Sequence, residues 1–242
     1  MMAPNRAIQF LLAAWLIFGQ ASALPLARAE DAPLPKGVKA VWGLDKAYRQ
    51  KTATRQRVCL NGLWRWQPAK DGNPKRETSR LGSPAADAVP ADRWGYFKVP
   101  GCWPGVTDYM QKDCQRVFAH PDWKGERLGG ITSAWYQREL AVPQDWAGKR
   151  IALCLEYLNS YATVFVDGKK VGEVRFPAGE TDLTSVCLPG GKHVLSLLVV
   201  AMPLKGVMLS YNDTASAREV KGSVSRRGLC GDAYLVAEPP GA

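Results

Sequence analysis

The side chains able to do acid–base or nucleophilic chemistry are few and scattered in this sequence. Its histidines are His120 and His193. No G-x-S-x-G elbow supplies a serine nucleophile for either. His193 opens an apolar run and reads as structural. Glu126, Glu139, Glu156, Glu173 and Glu180 are spread over the middle of the chain, where ordinary surface carboxylates are the expected role. A phosphate-binding P-loop, a dinucleotide fingerprint and the H-E-x-x-H zinc signature are absent from the sequence. His120 lies near Cys114, but one Cys and one His without a C-x-x-C step make no metal site. No metal and no cofactor are expected, and no catalytic constellation is spelled out.

Binding chemistry is better represented. The segment 102–123 carries Trp103, Asp108, Tyr109, Arg116, His120 and Trp123, and 202–227 carries Tyr211, Asn212, Asp213, Arg226 and Arg227. Aromatic faces beside fixed donors and acceptors are what sugar recognition uses. The candidate ligand contacts are therefore Trp103, Asp108, Arg116, Trp123, Asn212 and Asp213. Trp103 and Trp123 fit a core role as well as a ligand or interface role.

These loops need a scaffold, and the scaffold reads as all-β. RVCLNGLWRWQPA at 57–69 alternates around Asn61-Gly62, and GYFKVPGCWPG at 95–105 runs from strand to turn. Strands are expected near 134–141, 150–157, 161–166 and 170–175, with a two-residue hairpin at Asp167-Gly168, where glycine accepts the positive φ. ETDLTSVCL at 180–188 should enter the next strand. HVLSLLVVA at 193–201 is nearly continuously apolar, and its length and valines favour a buried strand over a helix. GDAYLVAEP at 231–239 closes the domain. Long loops are expected at 70–92, 106–132 and 202–227. Short strands with turns between them and little helical periodicity imply an antiparallel β-sandwich of about eight strands, a jelly roll.

The first 29 residues have the form of an export signal. Arg6 gives the basic start, AIQFLLAAWLIF the apolar core, and Ala27 and Ala29 the small residues before cleavage ahead of Glu30. An uncleaved anchor is the competing reading, but about 12 apolar residues fall short of the roughly 20 that span a bilayer. The chain is thus expected to be exported (periplasmic, cell-surface or secreted) with no stable membrane span after cleavage. Residues 30–56 read as a leader or linker, proline-rich and disordered at 30–40, with a short surface helix at 43–52. The sandwich is assigned to 57–238 and a tail to 239–242.

Cleavage removes Arg6 and Arg28 and no acids, taking the formal net charge from +10 to +8. The basic residues form no run of five, and no zinc finger, helix-turn-helix or aromatic RNA motif is present, so nucleic acid is not an expected partner. The cysteines Cys59, Cys102, Cys114, Cys154, Cys187 and Cys230 form an even set that permits disulfides after export. Cys102 and Cys114, flanking a loop-like segment, are the candidate pair. The other four sit in strand-like runs and read as small buried hydrophobes.

Residues 133–176 carry a pattern of Trp135, Tyr136, Arg138, Val142, Pro143, Trp146, Gly148, Lys149 and Arg150, two strands, then Asp167-Gly168. With Asn61-Gly62-Leu63-Trp64, Val99-Pro100 before Trp103, and Gly228-Leu229-Cys230-Gly231-Asp232, it closely resembles the non-catalytic, galactose-binding-like jelly roll at the start of family 2 glycoside hydrolases, the β-galactosidase and β-glucuronidase group. The resemblance covers about residues 57–238, with Asp167 where the family has Asn. It implies that Trp64, Trp66, Trp135 and Trp146 are packing residues. In many members the first long loop reaches the catalytic pocket with a substrate-touching asparagine. Arg116 stands at the comparable place here, which departs from that pattern.

The family's catalysis needs two facing carboxyl groups, carried on a separate barrel of about 250 residues, and this sequence of 242 has no room for one. Two function classes follow. One is an exported, non-catalytic carbohydrate-binding module with a glycan or glycoside as partner. The alternative is the front domain of a truncated or split glycosidase whose catalytic domain is elsewhere, and a structural interaction module is a third. Pro239-Pro240-Gly241-Ala242 after the last strand suits a self-contained domain, and a linker into a following domain would look the same.

Overall fold

Asn61-Gly62 splits the first strand-like run between two sheets. In a computed structural model of the protein, which describes residues 30–69, 88–105, 116–202 and 226–241, β2 (Gln56–Cys59) ends just before this corner and β3 (Gly62–Pro68) begins after it in the opposite layer. Gly62 has φ 129°, a conformation only glycine takes easily, so the chain can cross there.

Among the described residues, one layer has five strands in the order β1 (Arg49–Lys51), β2, β14 (Ala233–Glu238), β7 (Arg150–Leu155) and β11 (Gly179–Asp182). The other has seven: β10 (Lys169–Arg175), β9 (Tyr161–Val166), β12 (Lys192–Val200), β6 (Ser133–Ala141), β3, β4 (Gly95–Val99) and β5 (Val117–Phe118). A short pair of β8 (Leu158–Asn159) and β13 (Gly228–Leu229) joins them at one end. Every pairing is antiparallel. The expected all-β antiparallel sandwich is what the chain forms, with more and shorter strands than the sequence suggested. No helix among the described residues is long and apolar enough to cross a membrane.

The period-2 rule places the core. Along β12, Leu195, Leu197 and Val199 enter the space between the layers, while Ser196, Leu198 and Val200 face outward. Both faces are buried, which explains the unbroken apolar run. The central core stacks Trp64, Trp66, Phe97 and Tyr136 in edge-on or tilted contacts. Trp146 is also buried in that core. Trp135 is buried too, but in a second cluster on the outer face of the seven-stranded sheet, with Trp94, Phe165, Leu198 and Val200. The Asp167-Gly168 hairpin forms as expected, with φ 49° and 79° at its two turn residues and Val166 opposite Lys169.

Four expectations change. Residues 30–40 pack on the sandwich: Asp31 Oδ2 accepts from Arg65 Nε at 2.7 Å and from the Tyr96 hydroxyl at 3.0 Å, and Ala32 is buried. The helix expected over 43–52 is a single 3-10 turn at Leu44–Lys46 followed by β1. The run at 180–188 leaves the strand after Asp182, because Asp182 Oδ1 accepts from Thr184 N at 2.7 Å and turns the chain. Cys187 is therefore buried in a turn and Cys230 lies between strands. Cys59 and Cys154 are in strands, on the outer face beside Tyr234 and only half-buried. The expected export signal at 1–29 lies outside the described residues.

Candidate functional site

Arg227 gathers one end of the sandwich. Its Nη2 donates to Pro104 O and Gly129 O, each at 2.8 Å, and its Nη1 to Ile131 O at 2.5 Å. Burial lowers its pKa from the ordinary arginine value. Around it, Gly101 N donates to Leu229 O at 2.8 Å and Trp103 N to Arg227 O at 2.9 Å. The segments 100–105, 127–131 and 226–231 are thus locked together where the two sequence-predicted binding segments leave the scaffold. Two glycines permit this. A Cβ on Gly105 would lie 2.9 Å from Gly129 O, and one on Gly228 would lie 2.7 Å from Trp103 Nε1.

The candidate ligand residues separate here. Trp103 is fully buried, and its Nε1 donates to the Tyr136 hydroxyl oxygen at 2.5 Å. Trp123 is buried against Trp66 and donates to Arg93 O at 2.9 Å. Neither indole offers a face to a sugar, so both belong to the core. Arg116 is exposed, just ahead of β5. Asp108, Asn212 and Asp213 lie outside the described residues, as does Cys114. Cys102, its expected partner, has its sulfur 3.3 Å from that of Cys230. His120 Nδ1 accepts from Asp122 N at 3.2 Å and caps the turn that carries Trp123.

The buried phenol of Tyr136 has its pKa raised, by burial above all, so it stays a neutral hydrogen-bonding group. Arg138 is driven down to about 10, mainly by burial in the core. It donates to Leu60 O, which also accepts from Trp64 Nε1 at 2.8 Å. Arg138 therefore fixes the corner between the layers. His193 is structural, as read. Its Nε2 accepts from Leu188 N at 3.0 Å, which leaves Nδ1 to donate to Asp167 Oδ2 at 2.8 Å.

Carboxylates meet on the outer face of the five-stranded sheet, in a neutralised arrangement. Arg55 bonds both Glu180 and Glu238, and Arg150 Nη1 reaches Glu180 at 3.1 Å and Glu238 at 2.8 Å. Burial acts to raise the pKa of Glu180, but the hydrogen bonds from Arg55 and Arg150 outweigh it and hold the carboxyl below its usual value. A glycosidic general acid needs the opposite shift. At the far end of β14 from Arg227, Lys149, Arg150, Asp182 and Pro240 line an open depression of about 440 Å³ that contains no aromatic ring. Among the described residues no three His, Cys, Asp or Glu side chains gather as a metal would need.

Sequence reasoning picked out the loop that holds Arg227 but not its role. Its partner carbonyls are 96 to 123 residues away, and no local spacing encodes them.

No protein-family model matches the chain. A β-glucuronidase of Paenibacillus borealis is 26% identical over 155 residues, which is 63% of this chain and 22% of that protein. Among solved structures, the β-glucuronidase of Ruminococcus gnavus matches at 18% identity with a TM-score of 0.51, over 80% of this chain and 31% of its own. That of Dictyoglomus thermophilum matches at 14% identity with a TM-score of 0.50, over 80% and 30%. The chain spans about a fifth to a third of the length of these proteins. It is a β-sandwich domain similar to part of a β-glucuronidase.

Proposed function

We propose that this chain is an exported, non-catalytic carbohydrate-recognition module whose partner is a glycan or glycoside. The observation that carries the reading is the Arg227 clamp, which roots both polar, aromatic segments at one end of a rigid sandwich. Binding residues are commonly held this way, on irregular segments fixed by a scaffold. The β-glucuronidase likeness supports a sugar as the ligand class. Trp103 and Trp123 drop out as stacking platforms because they are buried, so recognition falls to Arg116, to Asp108, Asn212 and Asp213, and to Tyr109 and Tyr211. A single shallow site of this kind should bind with a Kd on the order of 0.1 to 1 mM.

Calorimetry of the chain against neutral sugars and uronic acid glycosides tests this. Saturable binding that Asp213→Ala removes, with the thermal transition unchanged, supports recognition. No heat with any sugar overturns it. A second reading has its own support in the 22% coverage of the Paenibacillus protein. The chain would then be the front domain of a split glycosidase, docking a separately encoded catalytic domain through the same loops. Export with cleavage after Ala29 belongs to both readings. N-terminal sequencing of secreted protein should begin at Glu30, and recovery of Met1 from the cytoplasm would overturn it.

A further inference from the structure

Cys102 and Cys230 face each other at the base of the Arg227 cluster, with Cys102 donating to the Cys230 sulfur at 3.3 Å. Their backbones are already fixed. Gly101 and Trp103, on either side of Cys102, are hydrogen-bonded to Leu229 O and Arg227 O, and Cys230 N donates to Tyr157 O at 2.9 Å. A disulfide needs its sulfurs about 2.05 Å apart, so closing the remaining gap calls for a small side-chain adjustment rather than a backbone movement. Cys102 is buried, while Cys230 is partly exposed.

We propose that Cys102 and Cys230 are a disulfide-forming pair that locks the roots of the two loop segments when the chain meets a disulfide oxidant. The steps follow from the difference in exposure. The Cys230 thiolate attacks one sulfur of a small-molecule disulfide such as glutathione disulfide. A mixed disulfide forms, and one glutathione thiolate leaves and takes up the proton. Cys102, deprotonated in turn, attacks the Cys230 sulfur and expels the second glutathione. Two protein thiols lose two electrons and two protons, and one glutathione disulfide becomes two glutathione thiols. The cross-link joins residues 128 apart, a long loop for which unfolded-chain entropy predicts a large gain. It also ties the start of the first loop segment to the link between β13 and β14.

The full chain, treated with oxidised glutathione, alkylated and digested with trypsin without reduction, reads the pairing directly. Cys102 falls in the peptide 99–112, Cys114 in 113–116 and Cys230 in 228–242. The expected product is 99–112 linked to 228–242. It should be accompanied by a reductant-sensitive rise in Tm on the order of 10 °C. A Cys102→Ser variant should keep a glutathione adduct on Cys230, because the resolving thiol is gone, and Cys114→Ala should leave the cross-link unchanged. Linkage of 99–112 to 113–116, or full alkylation of Cys102 and Cys230 after oxidation, overturns the proposal. Both outcomes are read on the unmutated protein and do not depend on whether it binds any sugar.

Discussion

Asn61 and Asp232, 171 residues apart in sequence, are hydrogen-bonded: Asn61 Nδ2 donates to Asp232 Oδ1 at 2.9 Å. Asn61 Oδ1 accepts from Ala233 N at 3.1 Å, so one amide satisfies a side chain and a backbone group at once. The contact joins the corner between the layers to the start of the last strand. Two of the motifs that carried the family resemblance, Asn61-Gly62 and Gly231-Asp232, therefore meet in space.

Asn61→Ala should destabilise the domain by about 1–3 kcal/mol, because it leaves a part-buried carboxylate and a backbone N–H without their partner. Urea denaturation measures it. Asn61→Asp should be worse, since it sets two carboxylates against each other and removes the Nδ2 donor.

Trp103→Phe should cost about 1–3 kcal/mol while keeping most of the ring volume. The lost Nε1 donor leaves the buried Tyr136 hydroxyl less satisfied. Had Trp103 been a sugar platform, the same change would alter affinity and spare stability. Paired calorimetry and denaturation distinguish the two.

Trp135→Ala should cost about 3–5 kcal/mol, the range for truncating a buried aromatic. Its ring packs 5.4 Å from that of Phe165 on the outer face of the seven-stranded sheet. Loss of the cooperative near-ultraviolet transition would report this.

Stability should fall in acid through Glu180. Its folded pKa is depressed below the ordinary 4.5, so its contribution is fully present above 4.5 and is lost as pH falls through the folded value. Glu180→Gln should flatten the dependence of the urea midpoint on pH below about 4.5 while leaving most of the neutral-pH stability, since the pairs are partly exposed.

The chain by itself should leave aryl β-glucuronides, β-galactosides and β-mannosides uncleaved. Glu180 and Glu238 are both engaged by Arg55 and Arg150, and those bonds hold the Glu180 carboxyl below its usual value, the reverse of what a glycosidic general acid needs. Turnover that survives repurification and disappears on mutating one glutamate would contradict this.

Much of the scaffold was legible because period-2 patterning and turn chemistry are local. The apolar runs at 161–166 and 193–201 marked β9 and β12 as strands, and Asp167-Gly168 gave the hairpin between β9 and β10. Long-range partners were not legible. Trp103 and Trp123 look like loop aromatics, yet they turn inward because acceptors wait for them at Tyr136 and Arg93 O. Asp31 sits in a proline-rich segment with no periodicity, and it is held by the Arg65 guanidinium and the Tyr96 hydroxyl, both far away in sequence. The strand ending at Asp182 fell to a side-chain-to-backbone bond that apolar pattern cannot reveal.

The place of β14 between β2 and β7 has a consequence for biosynthesis. Val58 pairs with Leu235, and Leu235 pairs in turn with Leu153. As the nascent chain leaves the ribosome, β2 and β7 are made long before the strand that bridges them, and each waits with an open edge. Such edges invite pairing with other chains, and closing contacts across so much sequence is slow. A chain cut before Ala233 keeps two unjoined half-sheets, so the last strand is the step on which productive folding, and escape from aggregation, depends.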